Sequence, residues 1–208
     1  MKSSSALRFI LGALIAAKAV YLWSCVLQLQ LIARAPVSLR DAQANDYRHR
    51  IVSLVVLAIA AVALILYFVW IFCAKRKAIW LGAEGAEYSP GLAIGCHFIP
   101  IGNLFMPLQS MRELWQMSIC PKEWRAQIAS SMVIIWWVLW IVTGIAGYAI
   151  LFVSRSGQGL DHLRFVTYFL LCSSLISMVC DGLLYLIVGR VSAGLKSHSE
   201  AAGLAPVA

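Results

Sequence analysis

Residues 89–115 decide the fold and read SPGLAIGCHFIPIGNLFMPLQSMRELW. The stretch is apolar enough to enter a membrane, but its prolines each lack an N–H and disfavour helix at the preceding residue. These prolines are Pro90, Pro100 and Pro107, and the interleaved glycines are Gly91, Gly95 and Gly102. A membrane span needs about 20 continuous helical residues. The sequence therefore predicts a segment broken by proline and glycine, either re-entrant or lying at the membrane surface.

The composition of the whole chain is that of a polytopic membrane protein. Of 208 residues, 62% are hydrophobic and 12% are charged, about half the charged fraction of soluble domains. The net charge of +8 comes from 17 Lys and Arg that are scattered between apolar runs and form no basic stripe. Control of membrane topology explains them better than phosphate binding, so no nucleic-acid partner is expected.

Four apolar runs predict an all-α fold with four transmembrane helices. They cover about residues 9–33, 51–74, 128–153 and 165–189. A cleaved signal peptide is the alternative for the first run, because Ala17-Lys18-Ala19 resembles a cleavage site. The apolar run continues for more than a dozen residues beyond Lys18, which favours an uncleaved span.

The distribution of basic residues predicts the orientation. With four spans and the N-terminus inside, ten Lys and Arg fall on the inner side and six on the outer side, whereas a fifth, central span gives seven and nine. The positive-inside rule therefore favours four spans with both termini cytoplasmic. Residues 1–196 are predicted to form one integral membrane domain, and residues 197–208 a disordered tail.

The end of the central stretch predicts a short amphipathic helix at the membrane interface. Leu108, Met111 and Trp115 share one face by helical spacing, with Leu114 beside them. The polar side holds Gln109, Arg112, Glu113 and Gln116. Because the prolines leave backbone acceptors unpaired, we expect the side chains of Asn103 and Arg112 to satisfy some of them.

This central stretch resembles the bacterial domain-of-unknown-function 4328 (DUF4328) family of membrane proteins. The matching residues are Ser89, Pro90, Gly91, Gly95, Phe98, Ile99, Pro100, Asn103, Leu104, Pro107, Met111, Arg112, Glu113, Leu114 and Trp115. Trp70, Trp136 and Trp137 also resemble family positions. Cys96-His97 replace the usual aromatic residues, and Cys73 stands where a basic residue is expected. The resemblance implies the architecture and a bacterial inner membrane, but no reaction.

Two intramembrane charges are the most informative candidate site. Lys18 and Asp181 are each the only charge in their predicted span, and such charges are costly enough to suggest function. Lys18 lies about 15 Å beyond Arg8 and Asp181 about 14 Å before Arg190, at 1.5 Å per residue. If both termini are cytoplasmic, these depths are similar.

Polar residues accompany each charge at helical spacing. They are Tyr21, Cys25 and Gln28 on the first span, and Ser173, Ser177 and Tyr185 on the fourth. Two such stripes can line a path for a proton, ion or solute. The alternative is a structural ion pair with hydrogen-bonded helix packing.

Other signals of chemistry are weak. The six cysteines form no C-x-x-C pair, and no metal site, catalytic residue or cofactor is predicted. Haem needs two axial ligands as a rule, and only His97 is expected near the membrane interior, since His49, His162 and His198 are assigned to loops or the tail. Cys96 and His97 are adjacent, so their side chains are expected to point apart.

These observations favour a non-enzymatic membrane component. It is expected to be an accessory or interaction component of a larger complex, or a small transport-like bundle. The alternative is a membrane enzyme or a redox protein that carries a haem or a quinone-type cofactor. The expected partners are the lipid bilayer and either a second copy of the chain or another membrane protein.

Overall fold

The computed structural model describes residues 2–34 and 36–203, and this part of the chain is all-α. The helices are α1 (Lys2–Ala33), α2 (Leu39–Trp80), α3 (Pro90–Gly95), α4 (Met106–Ile119), α5 (Ser131–Val153) and α6 (Leu160–Ala201). Single 3-10 turns lie at Cys96–Phe98, Gly102–Leu104 and Trp124–Ala126. The predicted all-α class is confirmed.

Four of these helices, α1, α2, α5 and α6, are long and apolar enough to cross a membrane. Their apolar side chains mostly face outward: in the most apolar window of α2, only 11% of the residues are buried. Leu57, Leu64 and Ile65, for example, are all exposed. Water-exposed apolar area on this scale is unfavourable, so these faces suit lipid and the chain has the architecture of a polytopic membrane protein.

The polar linker after α1 is shorter than the sequence predicts. The predicted spans 9–33 and 51–74 leave residues 34–50 as the connection between them, whereas α2 begins at Leu39 and includes His49. The helix starts there because Ser38 caps it, with the Asp41 N–H donating to Ser38 Oγ at 3.1 Å. Polar residues therefore extend this helix beyond its apolar run.

The C-terminal helix is also longer than predicted. The sequence predicts a disordered tail from residue 197, but α6 continues to Ala201. The imidazole of His198 lies 2.8 Å from the Ile119 carbonyl oxygen, and Lys196 pairs with Glu200 one helical turn later. The remainder of the predicted tail, residues 204–208, lies outside the described residues.

The central stretch is broken, as its prolines and glycines predict. Ser89 caps the six-residue α3 by accepting the Leu92 N–H at 3.2 Å, and Pro90 occupies the first turn. Two 3-10 turns follow, and then α4 with Pro107 as its second residue. At 1.5 Å per residue, the 14 residues of α4 extend about 21 Å, too short for a hydrocarbon core of about 30 Å.

The chain divides into two compact units. Unit 1 comprises Met1–Leu11, Val62–Val138 and Leu183–Ala208, and unit 2 comprises Gly12–Ala61 and Leu139–Gly182. The prediction of one integral membrane domain over residues 1–196 stays a prediction.

The core of unit 1 lies where α4 packs on α2 and α6. Trp70, Met111 and Ile187 are fully buried there, and the Trp70 indole N–H donates to Ser192 Oγ at 3.0 Å. The backbones of α4 and α6 come so close that a Cβ at Gly194 would collide with the Ser118 carbonyl oxygen. A glycine is therefore required at this contact.

Reporter fusions test the membrane topology. We expect fusions after Glu84, Arg125 and Gly203 all to report cytoplasm, because four crossings return the chain to one side and basic residues flank these positions. A fusion after Gly157, between α5 and α6, is the control and should report the opposite side. An opposite-side signal at Arg125 with a cytoplasmic one at Glu84 would mean that residues 89–115 cross the membrane.

Candidate functional site

Lys18 and Asp181 meet in unit 2. Lys18 Nζ lies 2.5 Å from Asp181 Oδ2 and donates a second hydrogen bond to Ser177 Oγ, also at 2.5 Å. The two side chains are only 11% and 15% exposed. Each charge loses most of its solvation at this site, and the pairing supplies the compensating interaction that a buried ion needs.

The structure places only some of the polar residues predicted beside the pair near Lys18 and Asp181. Ser177 bonds to Lys18, and Gln28 donates to Thr167 Oγ1 at 3.1 Å, although Gln28 Oε1 has no hydrogen-bond partner. Cys25 is fully buried. Tyr185 instead belongs to unit 1, where its ring centroid lies 4.3 Å from the Arg8 guanidinium carbon. The predicted stripe on the fourth span therefore ends at Asp181.

A cavity of about 220 Å³ adjoins the ion pair. Ser177, which bonds to Lys18, also lines this cavity. The other polar residues of the wall are Tyr21, Thr143, Ser173 and Ser174. Most of the accessible wall is nevertheless apolar, with Phe169 and Leu170 among its residues. Thr143 of α5 and Ser174 of α6 were not predicted as site residues. The sequence does not show which faces of these helices meet.

His49 lies inside unit 2 and not in a loop. Its ring centroid is 5.0 Å from that of Tyr21, and its Nδ1 is 3.3 Å from Ser24 Oγ. His162 and His198, which were also assigned to a loop and to the tail, lie in α6. These placements were wrong because the polar flanks continue the helices beyond their apolar runs.

Unit 1 contains a second buried ion pair that the sequence analysis missed. Lys75 Nζ donates to Glu113 Oε2 at 2.5 Å, and the Lys75 side chain has no solvent exposure. The carboxylate also accepts the Glu87 N–H at 2.8 Å and the Tyr88 N–H at 3.2 Å. Glu113 was expected on a polar, exposed face of α4, but it is buried and fixes the loop before α3 to α2.

The other residues of the stretch 89–115 differ in burial and in hydrogen bonding. Trp115 is buried in unit 1, and Pro100 is exposed in the turn between the two 3-10 turns. Asn103 Oδ1 is buried without a hydrogen-bond partner, and Arg112 is exposed. The expectation that Asn103 and Arg112 satisfy backbone acceptors stays a prediction, whereas Glu113 accepts hydrogen bonds from backbone N–H groups.

The side chains of Cys96 and His97 lie close together, although neighbours in sequence were expected to point apart. Cys96 Sγ lies 3.6 Å from His97 Nδ1, because both residues sit in a tight 3-10 turn, and His97 Nε2 lies 3.4 Å from the Tyr67 hydroxyl. Burial raises the pKa of the Cys96 thiol and lowers the pKa of the His97 imidazole. Both groups are therefore uncharged at neutral pH, unlike the thiolate that nucleophilic catalysis requires.

Residues 2–34 and 36–203 contain no group of three His, Cys, Asp or Glu side chains that could hold a metal ion.

Residues 33–193 match the family described as "Domain of unknown function (DUF4328)". The chain belongs to this family. The DUF4328 region contains Asp181 and both members of the Lys75–Glu113 pair, whereas Lys18 precedes it. No curated protein and no solved structure matches the chain.

A double-mutant cycle tests the Lys18–Asp181 pair. Lys18→Met and Asp181→Leu should each destabilise the protein by about 3–5 kcal/mol, because each strands a buried charge. The double variant should recover much of this loss, as measured by thermal unfolding in detergent. The exposed pair gives a matched control, since Lys196→Met and Glu200→Leu should each have little effect. Strict additivity at Lys18 and Asp181 would show that the two residues do not interact.

A second cycle tests the Lys75–Glu113 pair. Glu113→Gln should lower folded yield and melting temperature, because it leaves the Lys75 ammonium buried without a counter-charge. Lys75→Met combined with Glu113→Gln should be milder than Glu113→Gln alone, since the amide oxygen can still accept a backbone N–H. Glu123→Gln is the control, because that side chain is exposed. Equal melting temperatures for Glu113→Gln and Glu123→Gln would contradict this role.

Proposed function

We propose that this DUF4328 protein is a non-enzymatic protein of the bacterial inner membrane and acts as a small transport-like bundle. The observation that carries the proposal is the buried Lys18–Asp181 pair of unit 2, together with the cavity beside it, whose wall includes Ser177. We also propose that both termini lie in the cytoplasm, an orientation that the distribution of basic residues supports.

The Lys18–Asp181 pair suits a site whose protonation changes during function. Its net charge is zero, so it is tolerated in hydrocarbon as long as both partners remain charged and in contact. A proton on Asp181 removes the counter-charge and leaves the Lys18 ammonium with Ser177 as its remaining hydrogen-bond partner. Intramembrane carboxylates in this setting are typical of proton relays and solute paths.

The cavity beside the pair is small. Its volume of about 220 Å³ is below the about 300–1,000 Å³ common for drug-sized ligands. Five residues of the wall carry hydroxyl groups, but most of the accessible wall is apolar and includes Ala146, Phe169 and Leu170. The proposed cargo is therefore a proton that passes by way of Asp181, and not a polar solute held by the cavity.

An accessory role in a membrane complex is the second candidate. The observation that favours it is the exposed apolar surface of the central segment, where Phe98, Ile101 and Phe105 are 70%, 77% and 60% exposed. Such a surface fits another membrane protein or a second copy of the chain as well as lipid. The alternative function is that of a membrane enzyme or a redox carrier. Its support is the contact between Cys96 and His97, and both of these groups are neutral.

Proton flux into proteoliposomes tests the transport-like function. Vesicles that contain the wild-type protein and an internal pH-sensitive dye should acidify faster than empty vesicles under an imposed potential. Ser173→Leu should reduce the flux by filling the cavity without touching the ion pair. Cys172→Leu is the matched control, since this neighbour is exposed and does not line the cavity.

Asp181→Asn should abolish the flux, whereas Asp161→Asn, an exposed carboxylate on the same helix, should leave it unchanged. Wild-type flux equal to that of empty vesicles would reject proton transport and leave the accessory role.

A further inference from the structure

Unit 2 contains a larger cavity beside the connection between α1 and α2. Its volume is about 540 Å³, within the range of small-molecule sites. The polar part of its wall is formed by Gln30, Arg34, Ser38, Asp41, Asn45 and Arg48. None of these residues lines the cavity beside Lys18 and Asp181.

Arg48 presents a half-buried positive charge to this cavity. Its Nη2 donates to Asn45 Oδ1 at 2.5 Å and to the Ser24 carbonyl oxygen at 3.4 Å, and its Nε donates to Ser24 Oγ at 3.3 Å. All of these acceptors are neutral. They fix the direction of the guanidinium without neutralising it, which leaves the positive charge available to a ligand.

Arg34 supplies a second guanidinium on the same wall. Across the described residues, the ion pairs within 4.0 Å are Lys18–Asp181, Lys75–Glu113, Arg164–Asp161 and Lys196–Glu200. Neither Arg34 nor Arg48 is among them. Two arginines therefore face one cavity without a carboxylate partner.

The one carboxylate on the wall is already engaged. Asp41 Oδ2 accepts a hydrogen bond from Ser38 Oγ at 2.7 Å, and the Asp41 N–H donates to the same hydroxyl at 3.1 Å. This capping holds Asp41 at the first turn of α2. With two arginines and one aspartate, the wall has a formal charge of +1, to which the N-terminus of α2 adds a partial positive charge.

We propose that this cavity binds a phosphate group. Guanidinium groups present planar pairs of N–H donors that match phosphate oxygens, and two arginines on one wall can hold the same anion. Gln30 on the same wall provides a neutral amide donor. The phosphate belongs either to the head group of a membrane phospholipid or to a small soluble phosphate ester, since both present the same oxygens. This site is independent of the transport-like function proposed above.

Two binding measurements on the full-length protein test the proposal. The first is thermal unfolding in detergent with inorganic phosphate, against chloride at equal ionic strength. The second is native mass spectrometry after extraction from nanodiscs of phosphatidylcholine alone or with phosphatidylglycerol. Both lipids contain a phosphate, but the choline cation offsets its charge, so two arginines should retain the anionic phosphatidylglycerol preferentially. We expect saturable stabilisation by phosphate, selective retention of phosphatidylglycerol, or both.

Arg34→Gln is the main test variant. The Arg34 side chain is exposed, so its replacement should not disturb folding. It should weaken phosphate or lipid binding at least tenfold. Arg40→Gln makes the same charge change at an exposed position outside the cavity, and it should bind as the wild type does. Arg48→Gln should also weaken binding, but its contacts with Ser24 and Asn45 give it a structural effect as well.

The two arms separate the sources of the phosphate. Stabilisation by inorganic phosphate without lipid retention identifies a soluble ester, and retention of phosphatidylglycerol without stabilisation identifies a lipid head group. No response in either arm, or equal losses for Arg34→Gln and Arg40→Gln, overturns the proposal. Proton flux in Arg34→Gln should remain at the wild-type level, so failure of this site and failure of the transport-like function are distinguishable.

Discussion

A chain that breaks its helices must still satisfy the freed backbone groups, and in unit 1 one buried carboxylate satisfies two of them. Glu113 accepts hydrogen bonds from two consecutive backbone N–H groups and from the Lys75 ammonium. One side chain therefore connects α2, the loop before α3, and α4. Without it, two backbone donors and one ammonium would be left without partners in a site that water barely reaches.

Among residues 2–34 and 36–203, each compact unit contains one buried ion pair, and the two pairs have different surroundings. Lys75–Glu113 is closed, because its carboxylate is saturated by backbone donors and the Lys75 side chain has no solvent exposure. Lys18–Asp181 is adjacent to a cavity, and its third member, Ser177, faces that cavity. The first arrangement suits a permanent structural connection, and the second suits a site whose partners can change.

The sequence was informative where a residue contradicted its surroundings. Lys18 and Asp181 stood out because each is a lone charge in an apolar run, and the prolines of residues 89–115 excluded a continuous helix. Lys75 was missed because it adjoins Arg76 and Lys77, and such clusters usually mark a cytoplasmic helix end.

Glu113 was missed for a different reason. Helical spacing placed it beside Arg112 on a polar face, and only the path of the loop before α3 brings backbone donors to that face. The helical start of α2 depended on a local cap at Ser38, which the charge pattern of residues 34–50 concealed. Pairing between distant helices and capping by one hydroxyl are set by three-dimensional packing and local geometry, and hydropathy does not record them.

The neutrality of the Lys18–Asp181 pair has an electrical consequence in an energised membrane. A transmembrane voltage does work of about 2.3 kcal/mol per elementary charge per 100 mV, but it exerts almost no net force on two opposite charges 2.5 Å apart. Protonation of Asp181 leaves a lone ammonium, and the same voltage then acts on Lys18 directly. The occupancy of one proton thus determines whether the membrane potential can move this side chain.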